Sequence, residues 1–510
     1  MKFSRRLMGV LIIAGLLLVL LAADDYQVKN FLPLDIEEDI HISKDTIKIW
    51  YTDIELSEYI QSAAVAFSEK PENRHVRIMP VLVSALEYLE NINRASVNGD
   101  GPDLFVVAHD NFEKAYLAGL ADVAADEYFS LMRAEYPQAG IDAATYKNKI
   151  LGYPFYFETS ALLYNRTHLE EMVRMKIETD ADEAAAEQAM LDLLEHGPED
   201  EISDTPAYLE DVERLKNDLV YVENQVAKLM PKTFEDLKDF AQDYDAPMGV
   251  EGLLKWDVND VFYNYFFIGD AISVGGPSGD DSAKIDIYNH DAIRSMRMYQ
   301  ELNRFFAIDT SEVKYREIIN EFIEGKLVYT IATTDVIAKL EEAVKAGDFI
   351  YEYGVFRTPD IDVDTPTRSL SMVNCVAING YSDLKSDANR FAVFLTGEFA
   401  GNLYARTGKV PAATGNVPDN EHLRVFSDEF ARSIPLPKMI ETSNFWIWLE
   451  ITFARIWEGA DANEQLRKLS EQIMSQVTGA PYSEEIIVEI IEEEEIEYFD
   501  EAELTREAMQ

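Results

Sequence analysis

The chemistry legible in this chain lies in carboxylates and aromatic rings. In Asn98–Phe112, NGDGPDLFVVAHDNF, a turn leads into four apolar residues, Leu104–Val107, and then to His109, Asp110 and Asn111. In YPFYFETSALLYN, Glu158 interrupts an apolar, aromatic run. TDIE places Asp53 and Glu55 just after another such run, and KWDVNDVFYNYFFIGDA gathers Trp256, Asp257, Asn259 and Tyr263. ATTD ends on Asp335, and SNFWIW contributes Trp446. A carboxylate at the end of a strand can accept hydrogen bonds from two neighbouring hydroxyls at once, which recognition of a hydroxyl-rich ligand demands.

Other chemistries are poorly provided for. Glycoside hydrolysis needs two carboxyl groups flanking one bond; Asp110 and Glu158 are the pair to consider, and no catalytic motif supports them, so no enzyme is expected. With seven histidines and no HExxH-type spacing, His109 reads as a packed histidine, and no metal or cofactor is expected. Cys375, the one cysteine, rules out an intrachain disulfide, and SMVNCVAIN makes it a small core residue. Asp and Glu number 94 against 45 Lys and Arg, a net charge of -49, which disfavours nucleic acid and anionic lipid as partners.

The elements that must hold these residues follow from periodicity. TIKIWY (Thr46–Tyr51), HVRIM (His75–Met79) and Leu104–Val107 read as strands, with helices through ELSEYIQSAAVAF and SALEYLENINRA between them. This order predicts an α/β fold with a mainly parallel sheet flanked by helices. The carboxyl ends of such strands are where open α/β sheets bind ligands, which is where Asp110 falls. Asp110 with Glu113 also fits a capping-box variant, with Gly119 at the helix exit, and Asp53 equally suits a helix cap. Leu327–Ala332 and CVAIN read as further buried strands. Within 171–230, Gly197-Pro198 separates two helical segments, Glu178–His196 and one starting at Thr205-Pro206. In the second, Tyr208, Val212, Leu215, Leu219, Val222, Val226 and Leu229 form a coiled-coil-like seam, which fits a helical hairpin or an ordinary amphipathic helix lying on the core.

The N-terminus has Lys2, Arg5 and Arg6 ahead of an apolar run, Leu7–Ala23. Residues 1–23 read as a signal peptide or N-terminal membrane anchor, and 24–45 as an acidic linker. The expected location is extracytoplasmic, with membrane attachment through residues 7–23 if the segment is uncleaved. The tail, 481–510, joins an apolar run to an acidic block.

The segment NGDGPDLFVVAHDNFEKAYLAGL resembles the corresponding part of the maltose-binding proteins, extracellular solute-binding components of sugar ABC importers. GYPFYFETSALLYNRTHLEE is similar to the family's hinge strand and following helix; PKTFEDL, EFIEGKLVYTIATTD, TGKVPAATG and SNFWIWLEITFARIWEGADANEQLRKLSEQI follow in family order. The resemblance spans about 46–477, except for the 171–230 hairpin. It implies two lobes, 46–157 with 371–417 and 158–370 with 418–480, that close by hinge motion on a carbohydrate and then dock on a permease. It implies ligand contacts from Asp110, Glu158 at the hinge, Trp446 as an aromatic platform, and Asp53, Glu55, Trp256, Asp257, Asn259 and Tyr263. The sequence also departs from the family pattern. Val107 and Asp335 stand where stacking tryptophans are usual, Asn111 replaces an arginine and Ile447 a tyrosine, which puts maltodextrin itself in doubt as the ligand.

Overall fold

The structure is a computed structural model that describes residues 45–196, 207–306, 308, 313–442 and 444–488. The signal or anchor segment, nearly all of the linker, the 197–206 turn and the tail beyond 488 lie outside the described residues. Among the described residues no helix is long and apolar enough to cross a membrane.

Strands β1 (Asp45–Tyr51), β2 (Val76–Leu82) and β3 (Leu104–Ala108) are parallel, in the order β2–β1–β3. Alternate residues of β1 are buried, whereas Leu104–Val107 of β3 are buried consecutively, as a strand covered on both faces requires. Helix α1 (Leu56–Glu69) turns Leu56, Ile60, Ala63, Ala64 and Phe67 onto this sheet, a helical stripe. Helix α2 (Phe112–Leu117) follows β3 through a single 3-10 turn.

Strand β4 (Tyr153–Asn165) organises the rest. Its first half, Tyr153–Thr159, pairs antiparallel with β8 (Leu370–Ile378), which in turn pairs with β3; β9 (Val410–Pro411) also joins this half. Its second half, Ser160–Asn165, pairs with β6 (Leu327–Thr333) and β7 (Tyr353–Phe356). Beyond β6 lies β5 (Gly252–Leu254), parallel to it. One continuous strand therefore pairs with both sets of strands, and the pairing changes over at Thr159/Ser160. Pro154 has no N–H to give to β8, and the register slips beside it at Asn374/Cys375, a bulge that spares the missing bond.

The hairpin differs from its expectation in two respects. Its first helix, α3 (Arg166–His196), is continuous with the helix after β4 and does not start near 178. The second arm is two helices, α4 (Ala207–Asn217) and α5 (Leu219–Lys228). Asp218 breaks the seam: its side chain accepts the Tyr221 N–H and starts a new helix. Leu219 is consequently 72% exposed, although the heptad spacing places it inward, while Val222 and Val226 stay buried. After Pro231, the Thr233/Asp236 capping box starts α6 (Phe234–Asp243). Helix α7 (Val336–Ala346) follows β6, and α8 (Phe445–Trp457) carries three of the tryptophans.

Candidate functional site

A cavity of about 1320 Å³ lies between the two lobes, where β4 passes from one to the other. One side is lined by Glu55, Tyr156 and the segment Tyr404–Lys409; the other by Tyr263, Tyr315, Thr333, Asp335 and the first turns of α7. Tyr156 also lines a second cavity of about 360 Å³ at the carboxyl ends of β1 and β3, where Asp53, Val107, Asn111 and Asn374 meet. The loop at Gly408 approaches α7 closely; Gly408 has φ +72°, and an added Cβ would stand 3.0 Å from the Ala338 Cβ.

Lys409 organises the lobe 1 wall. Its Nζ lies 2.7 Å from Asp53 and 2.9 Å from Glu55, and over the Tyr156 ring at 5.2 Å. Burial works against the ammonium charge, but the two carboxylates outweigh it and raise the Lys409 pKa. Asp53 also accepts the Glu55 N–H at 2.9 Å, so its helix-entry role and its cleft role coexist.

The lobe 2 wall is a ring pair with a carboxylate. Tyr263 stacks on Tyr315 with centroids 4.6 Å apart and planes 22° from parallel. The Tyr315 hydroxyl donates to Asp335 at 3.0 Å and accepts from the Thr333 hydroxyl at 2.9 Å; Asp335 also pairs with Lys339.

Glu158 sits between these walls, at the changeover of β4. No described residue donates a hydrogen bond to its carboxylate. Burial raises its pKa; Lys409 opposes this, and Asp335, Asp53 and Glu55 reinforce it.

Other candidates are placed elsewhere. Asp110 lines neither cavity. It lies behind Asn111, whose Nδ2 donates to it at 2.8 Å, and burial raises its pKa. The expected Asp110/Glu113 capping box does not form: no side chain caps this turn, and Glu113 is buried. Its carboxylate accepts instead from the Tyr146 hydroxyl at 2.7 Å and the Ile440 N–H at 2.5 Å. Trp256 is 1% exposed, packed edge-on to Trp457, and its N–H is held by Asn264 at 2.7 Å; it belongs to the core and offers no face to the cleft. Asp257 is buried and accepts the N–H groups of Asn259 and Tyr315, so it positions the ring pair from behind. The Asn259 side chain reaches the Val313 carbonyl. Trp446 is half-buried against Tyr265 and Phe445 and lines neither cavity. His109 is fully buried: the Val373 N–H donates to its Nδ1, its Nε2 faces the Leu436 carbonyl, and burial pushes its pKa down to about 3.

Sequence reasoning missed Tyr156, Tyr315 and Lys409. Tyr156 was within reach, because it lies two residues before Glu158 and strand periodicity puts both on one face. The pairings of Lys409 and Tyr315 are long-range and leave no local trace.

Two α/β lobes that share a strand, with a cleft at the crossing, define the class of two-lobed solute-binding folds. The family profile described as "Bacterial extracellular solute-binding protein" matches residues 63–430. That is more than half of the chain, and the chain belongs to this family. Solved structures agree on the fold. One is an extracellular solute-binding protein from Staphylococcus aureus in complex with maltose, with 17% identity, TM-score 0.64, and coverage of 87% of this chain and 99% of that one. A cyclo/maltodextrin-binding protein complexed with maltotetraose shares 18% identity, TM-score 0.63, with coverage of 87% and 98%. The maltose-binding protein of Listeria monocytogenes, in complex with maltose, shares 17% identity, TM-score 0.61, with coverage of 87% and 100%. No curated protein sequence matches the chain.

Proposed function

We propose that this protein is the extracytoplasmic carbohydrate-capturing component of an ABC-type importer. It would take up a mono- or oligosaccharide in the interlobe cleft, close about β4, and hand the ligand unaltered to a membrane permease. The observation that carries this reading is the cleft itself: about 1320 Å³, lined from both lobes, with the Tyr263–Tyr315 pair on one wall and Glu55 and Lys409 on the other. Tyrosine faces suit the apolar faces of sugar rings, and Glu55, Glu158, Thr333 and Asp335 supply acceptors for hydroxyls. Neighbours solved with maltose and maltotetraose lend support through the shared fold. Asp53 and Asn111 would meet ligand in the smaller cavity, and Asp110 would act by orienting Asn111.

A thermal-shift screen against mono- and oligosaccharides, followed by calorimetry and small-angle scattering, tests the reading. The expected result is a raised melting temperature, a smaller radius of gyration with ligand, and recovery of the sugar intact. A scattering profile that does not change at saturating ligand would rule out hinge capture, and released hydrolysis products would rule out a pure binder. A second reading is a tethered receptor or assembly module on a degenerate sugar-binding fold. It draws on the hairpin, where Leu219 and Val220 face outward, 72% and 67% exposed. Sugar binding in the screen separates the first reading from the second.

A further inference from the structure

We propose that the ligand of the interlobe cleft is an amino sugar, a saccharide whose ammonium group meets the Glu158 carboxylate while its ring lies against the Tyr263–Tyr315 pair. The proposal rests on the carbohydrate reading above and narrows it from neutral sugars to cationic ones.

Three observations lead there. The first is an imbalance in charge. Of the residues lining the large cavity, Glu55, Glu158, Asp260, Asp335, Glu341 and Glu342 are acidic, against four bases, Lys339, Lys345, Arg406 and Lys409. Three of those bases are already engaged: Lys409 by Asp53 and Glu55, Lys339 by Asp335, and Arg406 by Glu58. Glu158 is left without an ion pair or hydrogen-bond donor among the described residues, at the point where both lobes meet.

The second is the direction of the field. Carboxylates of both lobes act on Glu158, with Asp53 and Glu55 from one side and Asp335 from the other. Burial raises the Tyr263 pKa, and Asp335, Asp260 and Asp257 add to it; burial raises that of Tyr156, and Asp53, Glu158 and Glu55 add to it. Closing the lobes on a neutral sugar takes this negative charge out of water with hydroxyl donors alone to compensate it. An ammonium group brings three donors and an opposite charge, and a desolvated charge needs both.

The third is that the protein already models the contact with its own side chains. Lys339 Nζ stands 5.1 Å over the Tyr315 ring, and Lys409 Nζ stands 5.2 Å over Tyr156, each with a carboxylate beside it. Glu158 and Tyr263 line the same cavity, and among the described residues no cation pairs with Glu158. The net charge of -49 acts in the same sense at long range, concentrating cations near the protein and having no effect on neutral sugars.

The test is calorimetry on the full chain with three trisaccharides near pH 6, where a sugar amine is protonated. The probes are triglucosamine, its fully N-acetylated counterpart and maltotriose. Triglucosamine is expected to bind at least tenfold more tightly than either neutral trimer, with an advantage that shrinks as salt is raised. Glu158→Gln, which keeps the side-chain shape, is expected to remove that advantage by weakening triglucosamine at least tenfold. Neutral trimers binding as tightly as triglucosamine to the unmodified protein would overturn the proposal and leave the carbohydrate reading intact. Retention of the full advantage by Glu158→Gln would also overturn it. Binding of spermidine with no binding of any saccharide would overturn both.

Discussion

The two walls of the cleft share one device, a lysine held by carboxylate over a tyrosine ring, and differ in what stands beside it. On lobe 1, one ammonium, Lys409, is clamped by two carboxylates and lies across a tyrosine ring, so most of the wall's polar capacity is spent internally. On lobe 2, Lys339 is likewise paired, with Asp335, and lies over Tyr315, but a second ring, Tyr263, stacks on Tyr315 and lines the cleft beside it, and Tyr315 is braced by Asp335, Thr333 and the Asp257-held backbone. The contrast teaches that a charged residue in a cleft is not automatically a free contact. The side chains that hydrogen-bond each other set the shape of the site, and those left over set what it binds.

The largest effect should come from the lobe 2 wall. Tyr263→Ala removes a stacking face and is expected to weaken carbohydrate binding at least tenfold, about 1.4 kcal/mol, by calorimetry. Equal weakening by Asp110→Ala would put the weight back on lobe 1 and blur the contrast. Next is Lys409→Met, which leaves Asp53 and Glu55 facing each other without their cation. It is expected to lower stability by about 1–3 kcal/mol in urea denaturation, because an ionised group loses its partner. No change in stability would mean the clamp is ornamental.

A smaller effect is tied to pH. Burial holds the folded pKa of Glu158 above its unfolded value, so the folded protein keeps a proton that the unfolded chain releases. Stability is therefore lost as pH rises from the unfolded value through the folded one. Glu158→Gln escapes this, and at neutral pH is expected to melt higher than the unmodified protein. The gap should close below about pH 4, where the carboxyl is neutral in both states. The smallest effect concerns the insertion: replacing 180–214 by a short glycine-rich turn is expected to leave carbohydrate affinity within about twofold. The deletion spares Val222 and Val226, which anchor α5.

Much of the fold was open to reading because its signals are local. The runs at 46–51, 104–107 and 327–332 sit inside observed strands, and the stripe on α1 matches its buried residues. The hairpin's seam failed at Leu219, since an Asp at 218 can cap a new helix as readily as continue an old one. The site was half legible. Glu158 announced itself as the one acid in an apolar strand. Trp256 and Tyr263 lie seven residues apart in a single polar–aromatic segment, yet one is core and the other lines the cleft. Residue type could not separate them, because the deciding contacts come from Trp457 and Tyr315, far along the chain.

The place of β8 in the sheet has a consequence for how the molecule is made. It fills the gap between β3 and β4, and its Val373 N–H reaches His109, 264 residues earlier. While synthesis proceeds from the N-terminus, β3 and the first half of β4 must wait with open edges until that late strand emerges. Such long loop closures fold slowly. The nascent chain therefore stays unfinished, and accessible to chaperones or a translocation machinery, until Leu370–Ile378 has been made.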